Sequence, residues 1–168
     1  MSIQSPKLRL TNSANNKSRS KMKRDKDLID SGHKKLSMVV TSVLKNQNEV
    51  LVLRRSMKVK TLQEKWAGVS GYLEKNEDLL SRALTEIYEE TRINKDELIL
   101  RKIFDQLNVQ IHNELMLIIQ PFCFVSNTRK VVLDWEHSDY YWINQKEMDN
   151  FDFVPRFKEI ICRCLKEL

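Results

Sequence analysis

Glycine is scarce in this chain, three in 168 residues, and two of the three stand close together in Trp66-Ala67-Gly68-Val69-Ser70-Gly71. Glu77 follows Gly71, and after it comes Glu86-Ile87-Tyr88-Glu89-Glu90. In a glycine-poor chain, a glycine marks a place where backbone must approach another group closely. Here such a place runs directly into a carboxylate-rich segment. The spacing predicts a helix over 77–91, with Asn76 as N-cap and acids in its first turn. Leu79, Leu80, Ala83, Leu84 and Ile87 form its apolar stripe. On that helix Glu86 and Glu90 lie within about 40° of each other, with Glu89 about 60° further round. The stripe starts beside Glu90, so the three acids sit at the rim of the buried face. Like charges at i and i+4 destabilise a helix by roughly 0.2–0.5 kcal/mol, and partial burial raises that cost. A bound Mg²⁺ or Mn²⁺ reverses the sign, because a hard cation prefers carboxylate oxygens. The competing reading is a solvated acidic face, which Lys or Arg usually balances one turn away. Arg82 balances Glu86 in this way, but Glu89 and Glu90 face Thr85, Glu86, Ile93 and Asn94.

The net charge of +6 is unevenly placed. Residues 1–35 hold ten Lys/Arg and three Asp, whereas the remaining 133 residues hold 19 basic and 20 acidic side chains. The first segment is rich in Ser, Asn and Lys and poor in large apolar groups, so it reads as a basic, disordered tail. A solvated tail is the favoured reading. An arm for RNA or another polyanion and an organellar transit peptide are the alternatives, and nucleic acid is not the favoured partner. Residues 36–168 are nearly neutral, with a composition suited to one globular domain. No apolar run approaches the ~18 residues needed to span a bilayer, and no secretory signal is expected at the start. Cys123, Cys162 and Cys164 are an odd set without the spacing of a disulfide framework or a zinc turn, which points to a reducing cytoplasm.

Along the domain, Met38–Leu44 reads as a strand, Lys45-Asn46-Gln47-Asn48 as a turn and Glu49–Arg54 as its hairpin partner. Lys58–Lys65 is a basic loop, and Trp66–Leu73 a short strand and turn. Leu98–Leu107, Leu115–Val125, Val131–Leu133 and His137–Ile143 read as further strands. Phe157–Leu168 reads as an amphipathic closing helix with Ile160, Ile161, Cys164 and Leu165 on one side. Strands flanking a helix, with a second helix at the end, suggest a mixed sheet covered on its faces.

Gly71, five residues, Glu77, seven residues, then Thr85-Glu86-Ile87-Tyr88-Glu89-Glu90-Thr91-Arg92-Ile93 resembles the Nudix box, Gly-x5-Glu-x7-Arg-Glu-apolar-x-Glu-Glu-x-Gly-apolar. The match keeps all four glutamates. The wider resemblance covers about residues 36–168, including Val50-Leu51-Val52-Leu53-Arg54-Arg55 and Trp135-Glu136-His137, and is closest to small prokaryotic or archaeal-type Nudix hydrolases. It implies an α/β class fold, an α/β/α sandwich with a mixed β-sheet. It also implies Mg²⁺- or Mn²⁺-dependent hydrolysis of a nucleoside diphosphate linked to another moiety, so the partner is a small-molecule nucleotide or diphosphate. By carry-over, Glu86 and Glu90 would be metal ligands with the Gly71 carbonyl nearby. Glu89 would be a further ligand or would orient the attacking water, and Glu77 would support the loop–helix geometry. Dimers occur in the family, so a homodimer is compatible with the resemblance.

Two positions depart from the pattern. Thr85 replaces an arginine that normally holds a catalytic glutamate, and Arg82, one turn earlier, is the candidate to compensate. Arg92 replaces a glycine near the helix end. If that position needs φ > 0, Arg costs roughly 1 kcal/mol; otherwise the helix runs on. The alternative function is a degenerate Nudix domain that binds nucleotide or RNA.

Outside the box, Glu114 and Glu136 are candidates for an additional acid. Arg54, Arg55 and Lys65 are candidates to meet substrate phosphates. Against this, each also reads as an ordinary surface residue. His112 and His137 read as surface or hydrogen-bonded histidines. Trp66, Trp135 and Trp142 are candidates to stack on a base, with core packing the better reading for at least two.

Overall fold

A computed structural model describes residues 35–112 and 115–167. The basic tail expected over 1–35 therefore lies outside the described residues, apart from Lys35. So does Glu114.

The β-branched run expected at Met38 extends to a 12-residue strand, β1 (Lys35–Asn46), which turns at Gln47 (φ 53°) into β2 (Glu49–Arg55). The glycine segment supplies two short strands, β3 (Trp66–Ala67) and β4 (Val69–Tyr72). Helix α1 spans Leu79–Thr91. The strands β5 (Leu98–Ile103), β6 (Leu107–His112), β7 (Leu115–Ser126) and β8 (His137–Asn144) follow, and α2 (Phe157–Leu165) closes the domain.

The sheet is mixed. Strands β1 and β7 run parallel along nearly their whole length, and the other pairings are antiparallel. The hairpin of β1 and β2 holds only at its turn, through Lys45↔Val50 and Asn46↔Glu49. Beyond that the two strands part, and the glycine segment fills the gap: β3 pairs with β2 and β4 pairs with β1. The backbone ladder of both strands thus stays satisfied across the split.

Each face of the sheet carries one helix. Val50 and Val52 of β2, with Val43 and Cys123, pack under Ile160, Ile161 and Cys164 of α2. Leu51 and Leu53, with Val40, Leu44, Phe122 and Phe124, pack under Ala83 and Ile87 of α1. The run Val50-Leu51-Val52-Leu53 is apolar throughout because side chains alternate between two covered faces. The arrangement is the α/β/α sandwich expected.

Four local expectations are corrected. The N-cap is Asp78, whose carboxylate accepts from Ser81 N at 2.9 Å, and Asn76 sits at φ 63° two residues earlier. The helix therefore starts at Leu79 with no acid in its first turn. Leu98–Leu107 is not one strand, because β5 and β6 pair with different halves of the long β7. Val131–Leu133 is not a strand: Val132 N donates to Thr91 O at 2.9 Å, so its donor closes the end of α1 instead of joining a ladder. The closing helix stops at Leu165, short of the expected Leu168.

Candidate active site

The two glycines serve opposite faces of the sheet. A Cβ at Gly68 would meet the Phe157 ring and Ser42 O, both at 2.7 Å, on the side of α2. A Cβ at Gly71 would collide with the carboxylate of Glu86, on the side of α1. No described glycine has positive φ, so close approach, not turn geometry, is what these positions require. The sequence pattern predicts close approach of backbone to another group. The structure places Gly71 within strand β4, opposite Val40 of β1, and what it approaches is a side chain of its own site.

Glu86 and Glu90 are 4% and 3% exposed, whereas Glu89 between them points to solvent. Arg82 reaches Glu86 Oε1 through Nη2, and its Nη1 lies 3.8 Å from Glu77 Oε1. Glu77 in turn accepts from Glu74 N at 3.1 Å, which ties the β4–α1 connection to the helix. Thr85 spends its hydroxyl on Ser81 O at 2.9 Å. Arg92 takes the left-handed conformation at the helix end (φ 60°, ψ 15°), so this position does demand positive φ.

Glu90 accepts from Ser70 N. Its Oε2 is buried without a hydrogen-bond partner, and His137 Nε2 stands 3.8 Å away. His137 Nδ1 lies 3.2 Å from Asp134 Oδ1. Burial raises the Glu90 carboxyl well above the usual carboxylate range, and the charges of Glu86, Glu136 and Asp134 raise it further. Around Glu90 the carboxylates outnumber the cations, since Arg82 is engaged by Glu86 and Glu77, and Glu90 Oε2 is a buried acceptor without a hydrogen-bond partner. Hard oxygen donors in this arrangement fit a divalent cation. Among the described residues no group of three or more His, Cys, Asp or Glu side chains is arranged to hold a metal ion. Mg²⁺ is typically held by one or two carboxylates, water and substrate phosphates.

The weaker candidates separate. Glu136 is near enough for its charge to act on Glu90, and its carbonyl accepts from Ser56 N at 2.8 Å. Arg54 pairs with Glu64 at 3.0 Å, Arg55 donates to Thr61 O at 3.1 and 3.2 Å, and Lys65 binds Asp152 at 2.7 Å. Each thus has a local partner in or beside the basic loop. Trp66 packs against Tyr141 and Phe151, and Trp142 donates to Arg129 O at 3.2 Å. Trp135 is the exposed one, at 52%. The residue that sequence reasoning undervalued is His137. Its Asp-x-x-His spacing from Asp134 was visible, but its burial against Glu90 depends on the β2–β8 pairing, which local pattern does not reveal.

A model of the NUDIX domain matches residues 33–164. The chain belongs to the Nudix family. Among solved structures, the MutT protein from Methanosarcina mazei Go1 is 26% identical, with 80% of this chain and 96% of that one covered and a TM-score of 0.68. An Ap4A hydrolase from C. elegans, in a binary complex, is 18% identical (76% and 93% covered, TM-score 0.63). A bifunctional NMN adenylyltransferase/ADP ribose pyrophosphatase from Francisella tularensis is 19% identical (89% and 44% covered, TM-score 0.67). These last two show the shared fold. No curated protein matches. No helix among the described residues of this Nudix protein is long and apolar enough to cross a membrane.

Proposed function

We propose that this Nudix protein is a pyrophosphohydrolase dependent on Mg²⁺ or Mn²⁺, cleaving a nucleoside diphosphate linked to another moiety. The observation that carries the reading is the buried pair Glu86 and Glu90, with Glu90 Oε2 unpartnered in a cluster short of positive charge. Glu86 and Glu90 would hold the cation beside the Gly71 backbone. When bound, the cation neutralises the diphosphate, lowers the pKa of water and stabilises charge on the leaving phosphate. Glu89, exposed on the same helix, orients the attacking water and accepts its proton. The water oxygen forms a bond to phosphorus as the bridging P–O bond breaks, and the electron pair of that broken bond leaves with the departing phosphate. Glu136 is the described candidate for an additional acid. Arg54, Arg55 and Lys65 would exchange their local partners for substrate phosphates.

The named activities of the C. elegans and F. tularensis proteins, on Ap4A and ADP-ribose, suggest which nucleotides to try first. The F. tularensis protein has also been solved with AMP and a Mn ion. The test is phosphate release across a panel of nucleoside diphosphate derivatives with Mg²⁺ or Mn²⁺, comparing wild type with Glu89→Gln and Glu90→Gln. Activity that collapses in both variants supports the proposal. No mutant-sensitive activity on any compound would refute it. Thr85 and Arg92 favour a second reading, a binding-only Nudix domain, which predicts no turnover and an affinity that falls steeply with salt. Free Cys123, Cys162 and Cys164 accord with a cytoplasmic location.

A further inference from the structure

We propose that Arg82 is the positioning residue of this metal centre, taking over from a neighbouring helical position the role that the box pattern gives to an arginine at position 85. The inference rests on the metal-site reading above. Thr85 does not fill that role, since it is exposed and its hydroxyl back-bonds to Ser81 O. The Arg82 side chain is 13% exposed and lies against two acids, Glu86 through Nη2 and Glu77 at 3.8 Å through Nη1. The two nitrogens of one planar fork thus join a residue before α1 to a ligand inside it. Glu77 is itself tied to Glu74 N. On its other side, the Glu86 carboxylate lies in the space that a side chain at Gly71 would fill. Glu86 is therefore held between a guanidinium and bare backbone before any cation arrives.

This arrangement has two opposing consequences for a cation. Fixing Glu86 in place removes the ordering that binding would otherwise require. The guanidinium charge, in contrast, repels a divalent ion and competes for a carboxylate oxygen. The first dominates if Arg82 is a positioning residue, and the second if it is merely a counter-ion. Removing a residue that orients a metal ligand typically weakens metal affinity about 10–100-fold. Removing a competing counter-ion would tighten it.

The measurement is Mn²⁺ titration of the full chain without substrate, following the loss of the free aqueous Mn²⁺ signal by electron paramagnetic resonance. Arg82→Gln is expected to bind Mn²⁺ about 10–100-fold more weakly. Arg82→Lys should recover part of the loss, because one ammonium does not span both acids. The double variant Arg82→Gln/Thr85→Arg should recover most of it, since a guanidinium is then restored at the position used by the pattern. Unchanged or tighter binding in Arg82→Gln would overturn the proposal. So would a loss that follows a fall in the thermal stability of the metal-free protein and is not restored by Thr85→Arg. If Arg82→Gln folds poorly, Arg82→Lys decides, with wild-type affinity counting against a positioning fork. Glu90→Gln separates this inference from the functional one. If Glu90→Gln abolishes Mn²⁺ binding while Arg82→Gln is silent, only the role of Arg82 fails; if Glu90→Gln is also silent, the metal centre itself fails.

Discussion

Helices α1 and α2 cover opposite faces of one sheet, and they bury different chemistry. Helix α2 turns Phe157, Ile160, Ile161 and Cys164 inward, and its charges stay at the rim. There Arg156 and Arg163 both bind Glu159, and Lys158 binds Asp149. Helix α1 turns Ala83 and Ile87 inward but adds Glu86, Glu90 and Thr91. Apolar burial stabilises by about 25 cal/mol per Å² whatever the function of the helix. A buried carboxylate is costly unless paired, and Glu90 keeps an unpartnered oxygen. The α2 face is built for stability. On the proposed function, the α1 face gives up stability to keep a site for a cation.

The largest expected effect attacks the α1 side. In Gly71→Ala, the new methyl needs the volume of the Glu86 carboxylate. Glu86 must leave its place or β4 must part from β1. Turnover should fall by roughly 10²-fold or more, the scale seen when a group stabilising transition-state charge is lost. Steady-state rates and Mn²⁺ affinity measured on the same preparation check this. Near-wild-type turnover would show that the position of Glu86 is unimportant, and the contrast between the helices would lose its functional meaning.

The opposite test is Ile161→Ala on α2. Ile161 is fully buried against the core under that helix, so its truncation should cost about 2–5 kcal/mol of stability. Denaturant unfolding measures that loss. Turnover per folded molecule should be unchanged. A specific loss of kcat in folded protein would mean that the two faces are coupled, not divided between stability and function.

How much of this contrast could be read before the structure depends on range. Periodicity along a single element placed α1 and α2, and register alone set Glu86, Glu90 and Gly71 apart. One error is local, and the others arise where distant chain decides. Asp78 outcompetes Asn76 as cap because it can accept from Ser81 N, while Asn76 is taken up in a positive-φ turn. Val132 gives its N–H to Thr91 O at the end of α1, a partner far away in sequence. The wedge of β3 and β4 between β1 and β2, and the burial of His137 beside Glu90, are products of sheet pairing. The basic candidates to meet substrate phosphates have protein partners that local pattern did not show, Glu64 for Arg54 and the sequence-distant Asp152 for Lys65.

A third, smaller effect concerns pH. In the metal-free protein the folded-state pKa of Glu90 is raised, with burial the first cause and Glu86 the second, from a usual value of 4.5. Between that value and the raised one, the folded state binds more protons than the unfolded state. Stability from this group is therefore complete below the unfolded pKa and is lost as pH rises toward the folded one. The slope is at most about 1.4 kcal/mol per pH unit. Thermal unfolding in chelator should show wild type losing stability as pH rises above the usual carboxylate value of 4.5, relative to Glu90→Gln, in which the titration is absent. Saturating Mn²⁺ should reverse the trend, because metal takes the proton's place. Parallel wild-type and Glu90→Gln profiles in chelator would mean that Glu90 is not held in an unfavourable charged state, and that α1 gives up nothing.

The smallest effect tests whether that concession extends to the end of α1. Arg92 sits at φ 60° and ψ 15°, where its Cβ is crowded by neighbouring backbone. Its guanidinium offsets part of this, lying 5.4 Å from the Tyr88 ring centroid and 3.4 Å from Tyr88 O. Tyr88 is itself half exposed, so those contacts are weakly held. Relief of the left-handed strain should win, and Arg92→Gly should gain about 1 kcal/mol in denaturant unfolding. The gain is limited because glycine also adds freedom to the unfolded chain. No ligand to the cation is altered, so turnover should stay within about twofold of wild type, a difference under roughly 0.5 kcal/mol. A stability loss instead would mean that the Arg92–Tyr88 contact outweighs the backbone strain. A gain in stability with unchanged turnover would separate this cost from the other: the strain at Arg92 would belong to the helix end alone, while the cost at Glu86 and Glu90 would belong to the site.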